Sequence, residues 1–422
     1  MNKSLIHNNG LLVYYVLLMA LLLTWTNPNA LPPLLLRIGY LLAASLPVLF
    51  KRKEFFPIFF CTLIIISMSR YAPSYMVSMP SFVFIATALF FILFPPTSSS
   101  SPFLLVVLGI YILLINLIMG GEFKEACFTP LFIYILQRYL RPTKDCIILF
   151  IASFICISLV LSVEFLTVGK YFTETYSTDD FERMGWMDPN VFGCIIGIGI
   201  LSAILAIVNN IFRFRYSRIV LFSIVVVCFM AFLVNASRGA SVALAIATAL
   251  LVLLGTKRIS IKFLSVILLS FIIFLMYYGH FFDNLVYRMS LDNMETGGER
   301  FVIWETRLKA FFDGSVAPQK VLFGMGDRDA SFLGYGYYLG FHNDYLAMLM
   351  KYGIVGFVLW LSLLFYPIKN ATSNKAIVIV FVSYLAICAF TLDLMNTGHI
   401  AFYYLLLFLL SLGKCGSISL SH

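Results

Sequence analysis

This chain predicts an all-α protein that crosses a membrane many times, and three observations carry that reading. Hydrophobic residues make up 61% of its 422 residues and charged residues 12%, against about 25% charged in an ordinary soluble domain. The apolar residues form continuous runs without alternation, which selects helices over barrel strands. Lys and Arg gather at every second boundary between runs, the pattern that fixes membrane orientation.

A hydrocarbon core of about 30 Å takes about 20 apolar residues per helix. By that measure the sequence predicts helices near 10–26, 31–50, 55–69, 79–95, 102–119, 126–140, 145–166, 189–209, 218–235, 240–256, 262–279, 342–366, 375–392 and 399–413. The sixth run is short and the last is weak, so the expectation is a polytopic integral membrane protein of about 12–14 transmembrane helices, with a long loop between the last of them. With the N-terminus inside, the inside loops carry Lys51-Arg52-Lys53, then Arg138, Arg141 and Lys144, then Arg213, Arg215 and Arg218, then Lys257, Arg258 and Lys262, and finally Lys369, Lys375 and Lys414. Short outside loops carry little more than Arg70 and Lys124. The net charge of +9 is thus a topology signal and gives no reason to expect nucleic acid as a partner. Both termini are expected in the cytoplasm. The cysteines fall in spans, near a helix end or in the tail, so no disulfide framework is implied.

The polar chemistry lies outside. One loop, about Val168 to Asp188, holds Arg183 and Trp186 and leads into Asp188-Pro189-Asn190. A longer one runs from about His280 to Phe341. Within it, Phe301, Trp304, Leu308 and Phe311 recur at helical spacing beside Arg300, Arg307 and Lys309, which predicts an amphipathic helix over 299–312 resting on the membrane surface. Asn235 to Ala240 forms a tight outside turn containing Arg238. His342-Asn343 stands where the long loop meets a hydrophobic run, with Gly353 and Gly356 following. An imidazole exchanges protons near neutrality, and the glycines allow another helix to pack closely.

The ionisable residues within or bordering the spans are Arg37, Glu164, Arg238, His342, Lys351, Asp393 and His399, and on this topology nearly all fall in the outer third of the membrane. Charges in spans are expensive and usually line a site. A transporter tends to place them at the midplane, so a flippase or other transporter is the distant alternative. Ordinary readings exist for each residue: a histidine at a span entrance caps a helix, and an arginine in an outside turn anchors to headgroups.

In combination, these residues resemble the bacterial O-antigen ligases and the related O-antigen and capsule repeat-unit polymerases. The matching features are Ser237-Arg238-Gly239-Ala240, the Arg300 to Trp304 segment of the long loop with Gly324 and Gly326 just after that segment, and His342-Asn343 followed by Gly353 and Gly356. Asp188-Pro189-Asn190 opening a span is common among the polymerase members. The resemblance covers about Asp188 to Tyr366. It divides the chain into N-terminal helices with the first periplasmic loop (1–187), a ligase/polymerase-like core with periplasmic loop 280–341 (188–366), and C-terminal helices with a cytoplasmic tail (367–422).

The resemblance implies a glycosyltransferase of the bacterial inner (plasma) membrane, with its active site facing the periplasm. It would polymerise undecaprenyl-diphosphate-linked O-antigen or capsule repeat units; the alternative is ligation of finished O-antigen to lipid A-core in lipopolysaccharide biosynthesis. His342, Arg238 and Arg300 are the expected catalytic residues. Asn343, Arg183, Asp188, Asn190, Arg288 and Arg307 are the expected substrate-binding residues, and the loop cations Arg183, Arg288 and Arg307 rival Arg300 for the diphosphate. Lipid-linked donor and acceptor glycans and the bilayer are the implied partners, with a chain-length regulator and a flippase as further ones. No cofactor or metal is expected. Asp327-Arg328-Asp329 is similar to metal-binding carboxylates of nucleotide-sugar enzymes, but lies in a compartment where nucleotide sugars are absent.

Overall fold

The computed structural model describes residues 42, 53–67, 89, 92–96, 102–119, 125–168, 189–212, 215–235, 237–255, 300–336, 340–392 and 400–415. All regular structure among them is helical: α1 (Phe56–Ser67), α2 (Phe103–Ile118), α3 (Glu125–Gln137), α4 (Lys144–Val168), α5 (Pro189–Val208), α6 (Ser217–Asn235), α7 (Arg238–Gly255), α8 (Arg300–Phe312), α9 (Pro318–Phe323), α10 (Gly326–Phe332), α11 (Asp344–Asn370), α12 (Lys375–Thr391) and α13 (Ile400–Lys414). Lys144–Val163, Asn190–Val208, Ser217–Asn235 and Asp344–Asn370 are long and apolar enough to cross a membrane, and shorter apolar helices accompany them. The protein is a polytopic all-α membrane protein. The expected helices over 10–26 and 262–279 lie outside the described residues, as do those over 31–50 and 79–95 apart from a few positions.

Local chemistry sets several boundaries. Thr143 accepts the Cys146 amide through its hydroxyl at 3.2 Å and so caps α4. Pro189 and Pro318 stand at the first positions of α5 and α9, where a missing N–H costs nothing. Apolar faces of α2 and α6 remain exposed, with Ile110, Leu114, Leu117, Ile219, Phe222 and Val226 among them, as lipid-facing helices require.

The core explains one element. The last run, weak by hydropathy, forms α13, and nearly all of its side chains from Phe402 to Leu412 are buried. A helix that is apolar all round belongs inside, and α13 packs against α1, α3, α4, α11 and α12. Phe150, Phe154 and Phe381 meet its Tyr404 and Phe408 with ring centroids 5.0 to 5.5 Å apart. A second seam runs along α5, where Gly197 faces the Tyr384 ring of α12 and Gly199 faces Ser158 of α4. With no side chains in the way, Tyr384 donates to the Cys194 carbonyl at 2.8 Å and Ser158 to the Ile195 carbonyl at 3.0 Å. Small residues that admit interhelical hydrogen bonds are a principal means of association in lipid.

α11 is two helices in one. Gly353 breaks it with φ +65° and ψ −175°. On a straight helix Tyr345 and Trp360 would stand about 22 Å apart at 1.5 Å per residue, yet their ring centroids are 5.0 Å apart. Tyr345 also meets Phe357 at 6.5 Å. The halves 344–352 and 354–370 therefore fold against each other, and His342 does not crown a single straight span as the 342–366 run suggested.

The glycine spacing works differently from expectation too. A Cβ on Gly353 would stand 2.5 Å from the Gly324 amide nitrogen, and one on Gly324 (φ +103°) 2.5 Å from Tyr352 Cα. Gly353 thus meets the backbone of the long loop at the end of α9, not a neighbouring membrane helix. Gly356 does face a helix, beside the Tyr111 ring of α2. Tyr111 ties the assembly together by sharing its single O–H between the Phe323 carbonyl at 2.9 Å and the Tyr352 carbonyl at 3.0 Å. Met325 N–H donates to the Met350 carbonyl at 3.2 Å.

Candidate functional site

The described part of the long loop, α8 to α10 and residues up to Phe341, stacks on the first half of α11. In α8 the inward face is Trp304, Arg307, Leu308 and Phe311, with Arg307 and Phe311 fully buried. Phe301, Val302, Glu305, Lys309 and Phe312 face outward. The apolar stripe expected to lie on the membrane therefore covers protein instead: Trp304, Leu308 and Phe311 pack around Phe341 and Met350. On the outer face the Lys309 ammonium holds the Glu305 carboxyl below its usual range.

Arg307, expected among the substrate-binding cations, is shut away from solvent. Three residues after Trp304, it falls on the same inward face of the helix. Its guanidinium donates to the Ser331 carbonyl at 3.0 Å and lies over the Phe341 ring, 4.0 Å from the centroid. A flat, weakly hydrated cation suits such a surface. Lys351, also buried, lies over the same ring at 5.2 Å and pairs with Asp327 at 2.5 Å. Asp329 pairs with Lys320 at 2.9 Å. Both carboxylates of the Asp327-Arg328-Asp329 triplet are thus neutralised by lysines, and among the described residues no group of His, Cys, Asp or Glu is arranged to hold a metal ion.

The expected catalytic positions come together around the end of α12. Arg300 opens α8 and donates to the Thr391 carbonyl at 3.3 Å. Arg238 opens α7; its side chain lies outside the described atoms, but Gly239 beside it abuts Thr391, whose Cβ would be 2.6 Å from a Cβ on that glycine. Asp344, two residues after His342, donates its amide to the Leu392 carbonyl at 3.0 Å. Asn190 near the start of α5 joins the same corner, accepting from Ser237 Oγ at 3.0 Å. Helix starts carry the positive end of the macrodipole. Four of them, from α5, α7, α8 and α11, gather near one place.

His342 itself has φ +50°, one of only two non-glycine residues with positive φ among those described. Its imidazole lies over Gly340, where a Cβ would be 3.3 Å from Nε2. Asn343 caps α11, its side-chain oxygen accepting from the Tyr345 and Leu346 amides at 2.9 and 3.2 Å. Asp344 follows in the first turn, where a negative charge is favoured. Asn343 is buried and committed to the helix start, which explains its place beside His342. Arg183, Asp188 and Arg288 lie outside the described residues.

Sequence reasoning did not single out Thr391, Leu392 or the Lys351–Asp327 pair. Lys351 was visible as a charge in a span. Thr391 and Leu392 act through main-chain carbonyls, which leave no trace in side-chain patterns.

Residues 223–361 match the family model of the O-antigen ligases. That segment runs from α6 into the second half of α11 and so contains Arg238, Arg300, His342 and Asn343. No curated protein matches the chain.

Proposed function

We propose, from the premise that residues 223–361 match the O-antigen ligase family model, that the chain is a membrane glycosyltransferase polymerising undecaprenyl-diphosphate-linked repeat units at the periplasmic face of the inner membrane. The observation that carries this reading is the convergence of the α7, α8 and α11 starts on Thr391 and Leu392.

The chemistry follows from the residue types. The acceptor hydroxyl oxygen attacks the anomeric carbon of the donor glycan, the bond from that carbon to the diphosphate oxygen breaks, and the electron pair stays on the diphosphate. Arg238 and Arg300 hold that leaving group through paired N–H donors, which matters most as its charge grows. His342 takes the proton of the attacking hydroxyl. Asn190 belongs to the polar corner that receives the donor. Of the two carboxylates that a metal reading would use, each already has a lysine.

Asp188-Pro189-Asn190 opening α5 favours polymerase over ligase; the family model's own description, O-antigen ligase, supports ligation to lipid A-core as the second reading. Purified protein in proteoliposomes decides between them. A polymerase converts lipid-linked repeat units alone into a ladder of longer products, whereas a ligase needs lipid A-core before anything forms. In the active assay His342→Ala should abolish product, and Arg238→Lys should lose about a hundredfold, since a point charge replaces a fork. Full activity of Arg238→Lys would remove that residue from the site. Activity should persist in EDTA. Orientation is checked by cysteine labelling in a background without native cysteines: Ser315→Cys should react from outside and Ser373→Cys only after permeabilisation, both positions being exposed.

A further inference from the structure

We propose that Trp304 is a positioning residue for His342, an inference that rests on the catalytic reading of that histidine. The Trp304 indole N–H donates to the Phe341 carbonyl at 2.9 Å. That carbonyl belongs to the same rigid peptide plane as the His342 amide. Fixing its oxygen fixes the plane about which the His342 φ angle is measured, and that angle is +50°.

A left-handed conformation is costly for a residue with a Cβ and persists where the surroundings impose it. Here they do so from both sides. Upstream, the Phe341 ring is buried under the Arg307 guanidinium and the Lys351 ammonium. Downstream, the Asn343 cap and the Asp344–Leu392 bond fix the start of α11. Between the two anchors, the Phe341 carbonyl is the point where the backbone is held immediately before the imidazole. The indole is itself fixed, edge to face with Phe301 at 5.3 Å and Phe390 at 5.4 Å. Phe390 adjoins the Thr391 carbonyl that receives Arg300. Trp304 thus couples the histidine to the arginine end of the site through one hydrogen bond and one ring contact.

The inference separates the N–H from the ring. Trp304→Phe keeps an aromatic ring and loses the donor. Trp304→His keeps a donor and loses the six-membered ring, because an imidazole turned about χ2 puts Nε2 where the indole nitrogen was. With purified lipid-linked repeat units and, if needed, lipid A-core acceptor, Trp304→Phe should lower kcat by about tenfold to a hundredfold, the scale of a small misplacement of a reacting group, with KM within twofold. Trp304→His should recover most of that loss. Melting temperature and the amount of purified protein are followed in both.

Full activity of Trp304→Phe overturns the proposal. So does an equal loss in the two variants, with or without a fall in melting temperature, because packing alone then accounts for the residue. His342→Ala in the same assay keeps the two ideas apart. If it is active, the catalytic reading of His342 fails; if it is inactive while Trp304→Phe is active, only the positioning role fails.

Discussion

The membrane core and the loop tier that carries His342 differ in how far they rely on main-chain contacts. Around α13 the contacts are between side chains: Phe150, Phe154, Phe381, Tyr404 and Phe408 interlock. In the tier that carries His342, side-chain packing around Phe341 is joined by contacts that run through main chain. Gly353 lies on the Leu322–Gly324 backbone, Met325 bonds Met350, Asp344 bonds Leu392, and Arg300 bonds the Thr391 carbonyl. Packing of side chains adapts when volume is conserved. Backbone laid on backbone at positive φ has nothing to adapt with. The scaffold should therefore tolerate substitutions that the site does not.

The sharpest break of this contrast is Gly353→Ala. The new Cβ would meet a carbonyl and an amide instead of a movable side chain, and φ +65° with ψ −175° is a region kept essentially for glycine, adding about 1–3 kcal/mol. We expect product formation to fall by about a hundredfold or more as the tier shifts. Gly356→Ala, whose Cβ would press on the Tyr352 Cβ and the Tyr111 ring instead of on backbone, should cost less. Equal losses from the two would mean that the backbone contact has no special standing.

Lys351→Ala comes next, since it leaves the Asp327 carboxylate buried without its lysine. Breaking such a pair costs about 3–5 kcal/mol, seen as a lowered unfolding midpoint in detergent. Lys351→Met combined with Asp327→Leu should recover most of that stability, and a double variant no better than the single one would argue against the pair.

In the core, Leu407→Ala should cost about 2–5 kcal/mol, whereas Leu407→Met should cost less than about 1.5 kcal/mol and keep full activity. A loss of activity in Leu407→Met without a loss of stability would show the scaffold to be as exacting as the tier. At the bottom of the scale, Lys309→Ala on the outer face of α8 should leave both melting temperature and product unchanged, because its pair with Glu305 is exposed to water.

This division also explains what was legible in the sequence. Apolar runs gave the helices they encode: 102–119 became α2, 145–166 became α4, and 218–235 became α6. The last run, weak by hydropathy, still encodes the expected helix, and α13 spans Ile400–Lys414; its burial on all sides is what hydropathy does not report. His342, Asn343, Arg238 and Arg300 stand out in the sequence because their side chains are distinctive, and the structure brings the helix starts that carry them to one corner. The bend in α11 was half legible: Gly353 and Gly324 both stood out, but not that their backbones meet. Arg307 was misread because the same residue type serves a diphosphate or a buried ring, and only the fold says which way it points. Thr391 and Leu392 offer carbonyls that any residue would supply.

The bonds closing this corner also fix an order of assembly. The carbonyl that Arg300 meets lies 91 residues further along the chain, and the one that Asp344 meets is its neighbour. During synthesis, α8 to α11 emerge before either exists, so the corner stays open until α12 has entered the bilayer and its end has come up beside them. A chain halted in the turn after α11 would contain every recognisable motif and still lack the floor on which they meet.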